Sequence, residues 1–163
     1  MTAAPATPTR VLFVCLGNIC RSPAAEGVFL HLLEREGLAE AFQVDSAGTG
    51  SWHVGQAADP RMRSAAARRG IHLPSRARQL QPEDLHSFAH ILTMDADNLR
   101  AVRTLARRHG ASAEIAPLTR HCRRLRREEV PDPYYGGPDG FEEVLDLLDD
   151  ACQGLLHDLL ARR

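Results

Sequence analysis

Cys15 and Arg21 stand six positions apart around Leu16-Gly17-Asn18-Ile19-Cys20, and Ser22-Pro23 follows. A thiolate is a nucleophile, and a guanidinium fork grips two oxygens of a phosphoryl group at once. Held at the two ends of one short loop, they suit attack on phosphorus. The spacing alone is weak, because 4 Cys and 20 Arg in 163 residues give about half a match by chance. Its context is stronger. The apolar run Val11–Val14 precedes the loop, and Ala24–Leu33 follows it with apolar residues at helical spacing. A strand feeding a tight loop into a helix N-terminus aims backbone N–H groups and the positive end of the helix dipole at one small volume. Gly17 and Asn18 tolerate the dihedrals such a cradle needs. Ser22-Pro23 reads as an N-cap followed by Pro at the first helical position. The phosphate-binding set is therefore Leu16, Gly17, Asn18, Ile19, Cys20, Arg21 and Ser22, with the Ser22 hydroxyl placed to donate to the thiolate.

Cleaving a phosphate monoester through cysteine also needs an acid for the leaving oxygen. The best candidate is Asp132 in Val130-Pro131-Asp132-Pro133-Tyr134-Tyr135-Gly136-Gly137, where two prolines stiffen the backbone on either side. Tyr134 and Tyr135 can wall a slot for a flat aromatic leaving group. An ordinary Asp-Pro turn with surface tyrosines accounts for the same residues, so this segment alone decides nothing.

Several elements must bring Cys15 and Asp132 together. Arg10–Val14 reads as the first strand, Ser22–Glu36 as an amphipathic helix stopped by Gly37, and Phe42–Ala47 as the second strand. Asp59-Pro60 opens a helix to about Arg69, stopped by Gly70. Ile71–Gln81 is irregular, and Pro82–Leu85 is a short helical turn. Phe88–Met94 is the third strand, Asp95–Arg108 a helix with an acidic start and a basic end, Ala113–Leu118 the fourth strand, and Phe141–Leu160 the final helix. Alternation of strands and helices predicts a three-layer α/β/α domain of the flavodoxin-like class with a central four-stranded parallel sheet. Ligands of such sheets bind beyond the carboxyl ends of the strands, the edge where Cys15, Ser46-Gly48 and Met94-Asp95 fall.

Composition sets the bounds. With 44% apolar residues and no run long enough for a bilayer span, the chain reads as one soluble domain over 10–163 behind a disordered tail, 1–9. That tail lacks the features of a signal peptide, and four cysteines without a disulfide pattern suit the same cytoplasmic setting. A net charge of −1 gives no reason to expect nucleic acid as a partner, nor is a membrane partner expected. Lysine is absent, which excludes a Walker A nucleotide site and Schiff-base chemistry. The histidines show no metal-ligand spacing, and a zinc site from Cys15, Cys20, His121 and Cys122 is disfavoured by the adjacent His-Cys pair. No metal or cofactor is expected.

Taken together, these segments resemble the low-molecular-weight protein tyrosine phosphatases over nearly the whole chain. Val14–Pro23 resembles that family's phosphate loop, Asp45-Ser46-Ala47-Gly48-Thr49 with Trp52 its second-strand segment and pocket wall, and Asp132–Gly136 its acid loop. Ala77-Arg78-Gln79 and Met94-Asp95 resemble further family segments. The resemblance implies Cys15 as nucleophile, Arg21 as transition-state clamp, and Asp132 as general acid and then general base. It implies loop support from Asn18, Ser22 and Ser46, and a cleft bounded by Leu16, Trp52, His53, Tyr134 and Tyr135. It implies a reversible disulfide between Cys15 and Cys20, with a buried thiol beneath the loop as the alternative. Phosphotyrosine proteins are the implied partners, together with a cognate tyrosine kinase acting on Tyr134 and Tyr135, and a monomer open to weak self-association. One position departs from the pattern: Ser75 stands where the family usually has a loop-supporting histidine, so a perturbed support network and a shifted pH optimum are expected. Arsenate reductases of the same fold relay electrons through mid-chain cysteines, and here none stands between Cys20 and Cys122. Protein-arginine phosphatases favour threonine where Ile19 stands and lack the paired tyrosines. The run Arg120–Arg127 either steers acidic phosphopeptides or is a solvated loop balanced by Glu128 and Glu129.

Overall fold

In a computed structural model, which describes residues 7–162, four strands form one parallel sheet in the order β2-β1-β3-β4. They are β1 (Thr9–Cys15), β2 (Phe42–Gly48), β3 (His90–Thr93) and β4 (Glu114–Pro117). The helices are α1 (Arg21–Arg35), α2 (Pro60–Ala67), α3 (Asp84–Ser87), α4 (Ala96–His109) and α5 (Pro138–Ala161). β1 is central, pairing in register with β2 from Thr9↔Phe42 to Cys15↔Gly48 and with β3 from Val11↔His90 to Val14↔Thr93.

Side chains of β1 alternate between two cores, as the two-residue period of a strand requires. Val11, Phe13 and Cys15 join the larger cluster with α1, α2 and α5. Leu12 and Val14 face the smaller one, with Leu85, Ile91 and Val102. The chain leaves β1 toward β2 on one side and later returns to β3 on the other. Right-handed crossovers in opposite directions put α1 and α4 on opposite faces. The C-terminal end of β1 is thus the switch point where such sheets open a crevice, and Cys15 ends that strand.

Several boundaries differ from expectation. Positions 1–6 of the expected tail lie outside the described residues, and Thr9 already pairs with Phe42. The N-cap of α1 is Cys20 rather than Ser22, with no side-chain cap bond, because the Ser22 hydroxyl is engaged inside the phosphate loop. α5 begins at Pro138, three residues before Phe141, with Pro in the first turn. The helical turn after Pro82 is Asp84–Ser87, and 3-10 turns at Ala39–Ala41 and Leu118–His121 carry no periodicity that would reveal them. Among the described residues no helix is long and apolar enough to cross a membrane.

Candidate active site

The loop from Cys15 to Arg21 is shaped by where its carbonyls go. Cys15 O accepts from Thr49 N at 2.9 Å, Leu16 O from Gly50 N at 2.9 Å and Ile19 O from Asp59 N at 2.8 Å. In a trans peptide the carbonyl and the following N–H point opposite ways. Tying these three carbonyls outward therefore turns the N–H groups of Leu16, Gly17 and Cys20 inward, as an anion cradle needs. Close approach makes this possible: a Cβ on Gly48 would lie 2.7 Å from Leu16 O. Asn18 is the one non-glycine residue with positive φ (57°) among the described residues. Its side chain holds that conformation by donating to Ser22 Oγ at 2.7 Å and accepting from Arg78 N at 2.9 Å.

At the floor, Cys15 Sγ lies 3.0 Å from Ser22 Oγ and accepts the Asn18 N–H at 3.2 Å. The Arg21 side chain is only 3% exposed. It donates through Nη1 to Asp95 Oδ2 at 2.6 Å and to Val130 O at 3.1 Å, while Nη2 faces Asp132 Oδ2 at 3.7 Å. Burial works against its charge, but Cys15, Asp95 and Asp132 outweigh burial and raise its pKa further. Asp95 serves both the clamp and a helix. In sequence it is the acidic start of the helix Asp95–Arg108; in the structure it is the N-cap of α4, through Oδ1. Its other oxygen holds the clamp.

Asp132 enters from the opposite side on a loop anchored by Val130, which is fully buried and donates to Met94 O at 2.7 Å. Asp132 Oδ1 accepts the Tyr134 N–H at 3.0 Å, leaving Oδ2 toward the cleft. Walls rise from this floor to enclose a volume of about 320 Å³. Leu16, Trp52, His53, Tyr134 and Tyr135 line them. Trp52 lies flat on Gly50, where a Cβ would come within 1.9 Å of the indole. His53 packs over Gly17, and its Nδ1 lies 3.0 Å from Gln56 Oε1. A cleft with a buried cation and thiol at its base and exposed aromatic rings at its rim fits a phosphoryl group carried on an aromatic ring.

Residues 10–163 match the family model of low molecular weight phosphotyrosine protein phosphatases. The chain belongs to that family. A Streptomyces coelicolor low molecular weight protein-tyrosine-phosphatase is 45% identical over 149 residues, covering 90% of this chain and 91% of that protein. The crystal structure of an Entamoeba histolytica protein tyrosine phosphatase with Hepes in its active site superposes with a TM-score of 0.89 at 42% identity, over 94% of this chain and 97% of that one. YfkJ of Bacillus subtilis gives 0.90 at 37% identity, over 98% and 99%. These likenesses show the fold of this phosphatase to be the three-layer, flavodoxin-like one.

Other expected site residues of the phosphatase sit differently. Ser46 and Ser75 meet at Glu26 rather than at the phosphate loop. Ser46 Oγ donates to Glu26 Oε1 at 2.6 Å, and the Ser75 hydroxyl lies near enough to favour the charge on this carboxyl. Strand alternation explains it: Ser46 pairs with Phe13, and both side chains point to the face that α1 covers. Burial pushes the Glu26 carboxyl up, and the two hydroxyls only partly offset this. Cys20 is 4% exposed, and burial, then Asp59 and Cys15, push its thiol up to about 12. Cys15 and Cys20 are both free. In the arginine run, Arg123 pairs with Asp158, Arg124 with Asp149 and Asp150, and Arg127 with Glu143. The balancing acids come from α5, not from Glu128 and Glu129.

Proposed function

We propose that Cys15, Arg21 and Asp132 carry a two-step hydrolysis of phosphotyrosine. Cys15 Sγ attacks phosphorus while the cradle amides and Arg21 hold the equatorial oxygens. Asp132 gives its proton to the tyrosyl oxygen, and a phosphocysteine forms. Asp132, now a carboxylate, takes a proton from water, which attacks the phosphocysteine and releases phosphate. The observation that carries this reading is the convergence of Cys15, the buried Arg21 and Asp132 Oδ2 on one aromatic-walled cleft. Phosphotyrosine fits because Cys15 and Arg21 line the same cleft as the rings of Trp52 and Tyr134. We read residues 10–163 as one catalytic unit acting in the cytoplasm as a monomer, with Tyr134 and Tyr135 open to a tyrosine kinase. Cys20 acts as resolving thiol: a peroxide oxidises Cys15 to the sulfenic acid, and the Cys20 thiol condenses with it to a disulfide, releasing water.

Hydrolysis of phosphotyrosine, phosphoserine and phosphoarginine peptides by wild type, Cys15→Ser and Asp132→Asn, in chelator, tests the assignment. Phosphotyrosine turnover abolished in Cys15→Ser and slowed most for poor leaving groups in Asp132→Asn is the expected result. Preferred turnover of phosphoarginine would overturn the substrate assignment, and Asp132→Asn at wild-type rates would overturn the acid.

A further inference from the structure

The mechanism requires the proton on Asp132 to sit at a fixed place above Cys15, yet the two residues lie on separate loops. Arg21 bridges it directly at Val130 O, and a second connection reaches the far side of the acid loop, at Tyr134. Asp59 begins it. Its backbone N–H bonds Ile19 O of the phosphate loop at 2.8 Å, and its side chain caps α2 by accepting from Arg61 N at 2.8 Å. The same carboxylate takes the Arg61 guanidinium as a fork, Nε to Oδ1 at 3.1 Å and Nη2 to Oδ2 at 2.9 Å. Pinned in this way, the guanidinium lies over two rings, 4.8 Å from the centroid of Phe141 in α5 and 5.4 Å from that of Tyr134. Tyr134 closes the path, because its N–H occupies Asp132 Oδ1 and so fixes which carboxyl oxygen faces the cleft.

We propose that Arg61 is a positioning residue for the general acid, a strut that ties the acid loop to the phosphate loop through Asp59 and Tyr134. The proposal rests on Asp132 being the acid. The flanking structure leaves the strut with work to do. Gly136 and Gly137 follow the tyrosines without side chains, and a groove of about 490 Å³ opens between them and Ser64 of α2 with Arg68 just beyond its end. Tyr135, edge-on to Tyr134 at 4.9 Å, is itself 92% exposed. The guanidinium is what joins the Tyr134 ring to the start of α2. Lysine cannot replace it, since an ammonium has no planar face to lay on both rings while forking a carboxylate.

The test compares a poor leaving group, phenyl phosphate, with a good one, 4-nitrophenyl phosphate. A good leaving group departs with little help from the acid. Arg61→Ala is expected to lower kcat/KM about tenfold for phenyl phosphate and less than about twofold for 4-nitrophenyl phosphate, a partial loss of a general-acid effect that spans roughly 10²–10⁴. Arg61→Lys is expected near the alanine variant. Asp59→Asn, which keeps the cap of α2 but removes the charge that pins the fork, is expected to shift the ratio in the same direction. In an Asp132→Asn background, Arg61→Ala is expected to add nothing to the leaving-group dependence, because it acts through that carboxyl. Equal losses on both substrates, or losses that add fully to those of Asp132→Asn, would overturn the strut. If Asp132→Asn itself shows no leaving-group dependence, the acid assignment falls and the strut with it.

Discussion

Asp95 separates two jobs on two oxygens, and that makes its role measurable. Oδ2 accepts from Arg21 Nη1 at 2.6 Å, and Oδ1 accepts from Asn98 N at 2.8 Å to cap α4, with Asp95 N bonded back to Asn98 Oδ1 at 3.2 Å. Asp95→Asn keeps an oxygen for the cap, since Asn caps as well as Asp. It must then turn its NH₂ toward the Arg21 guanidinium, donor against donor. The clamp retains Val130 O as its remaining fixed acceptor. A hydrogen bond between charged partners is worth about 1.5–3 kcal/mol. If the lost restraint is felt in the transition state, where Arg21 must grip the phosphoryl oxygens, kcat/KM falls about ten- to hundredfold, at roughly 1.4 kcal/mol per decade. Asp95→Ala should show a similar kinetic loss and, in addition, lose the cap, worth about 1 kcal/mol. That places its melting temperature about 2–4 °C below the Asn variant. Steady-state kinetics on 4-nitrophenyl phosphate and thermal unfolding of both variants read the two effects separately. Asp95→Asn with kcat/KM within twofold of wild type would refute the clamp-holding role, whatever its stability.

Two further outcomes follow from packing and from burial. Gly154 lies in α5 where a Cβ would come within 1.8 Å of His121 O, a backbone atom of the 3-10 turn Leu118–His121. Gly154→Ala gains about 1 kcal/mol of helix propensity, but the backbone overlap should outweigh it and leave a net loss of about 2 kcal/mol, or roughly 4–8 °C in Tm; a Tm at or above wild type would refute this. Glu26 has its folded-state pKa raised from the ordinary value of 4.5, chiefly by burial. Its contribution to stability is therefore full below that value and is lost as pH rises through the raised one. Relative to Glu26→Gln, wild type should lose stability as pH rises from acid toward neutral, and a pH-independent difference in Tm between the two would show that the buried carboxyl does not titrate across that range.

What could be read from the chain, and what could not, divides along the range of the interactions. The strands and helices are marked by local apolar periods and by stops such as Gly37 and Gly70, both at positive φ. The cradle is marked by one contiguous segment. The wall at Trp52 came from the family resemblance and that at Tyr134 from the residues beside Asp132, and both stand at the cleft. Asp95 shows only its local face, the acidic start of a helix, because its partner Arg21 is 74 positions away and no local pattern encodes that pair. Glu26 looks like an acidic residue near a helix start, where solvent would normally keep it. Only the sheet brings Ser46 to it. The displaced cap of α1 has the same origin: Ser22 has the composition of an N-cap, and a tertiary demand, the sulfur of Cys15, takes its hydroxyl.

The nucleophile's place depends on parity as much as on the loop. Val11, Phe13 and Cys15 share one face of β1, the face covered by α1, so the strand delivers the sulfur to the side on which the loop must turn to enter that helix. Shifting the register of β1 by one residue would send Cys15 to the face of Leu12 and Val14, away from Ser22 and Arg21. The same pairing fixes the cradle. Cys15 lies opposite Gly48, and the residues just after Gly48 supply the N–H groups that tie the carbonyls of Cys15 and Leu16 outward. A side chain at position 48 would separate the two loops, free those carbonyls to turn in, and place acceptors where an anion needs donors. The requirement for glycine there is thus electrostatic in its consequence although steric in its cause, and it links the strand pairing that builds the sheet to the charge that the site can bind.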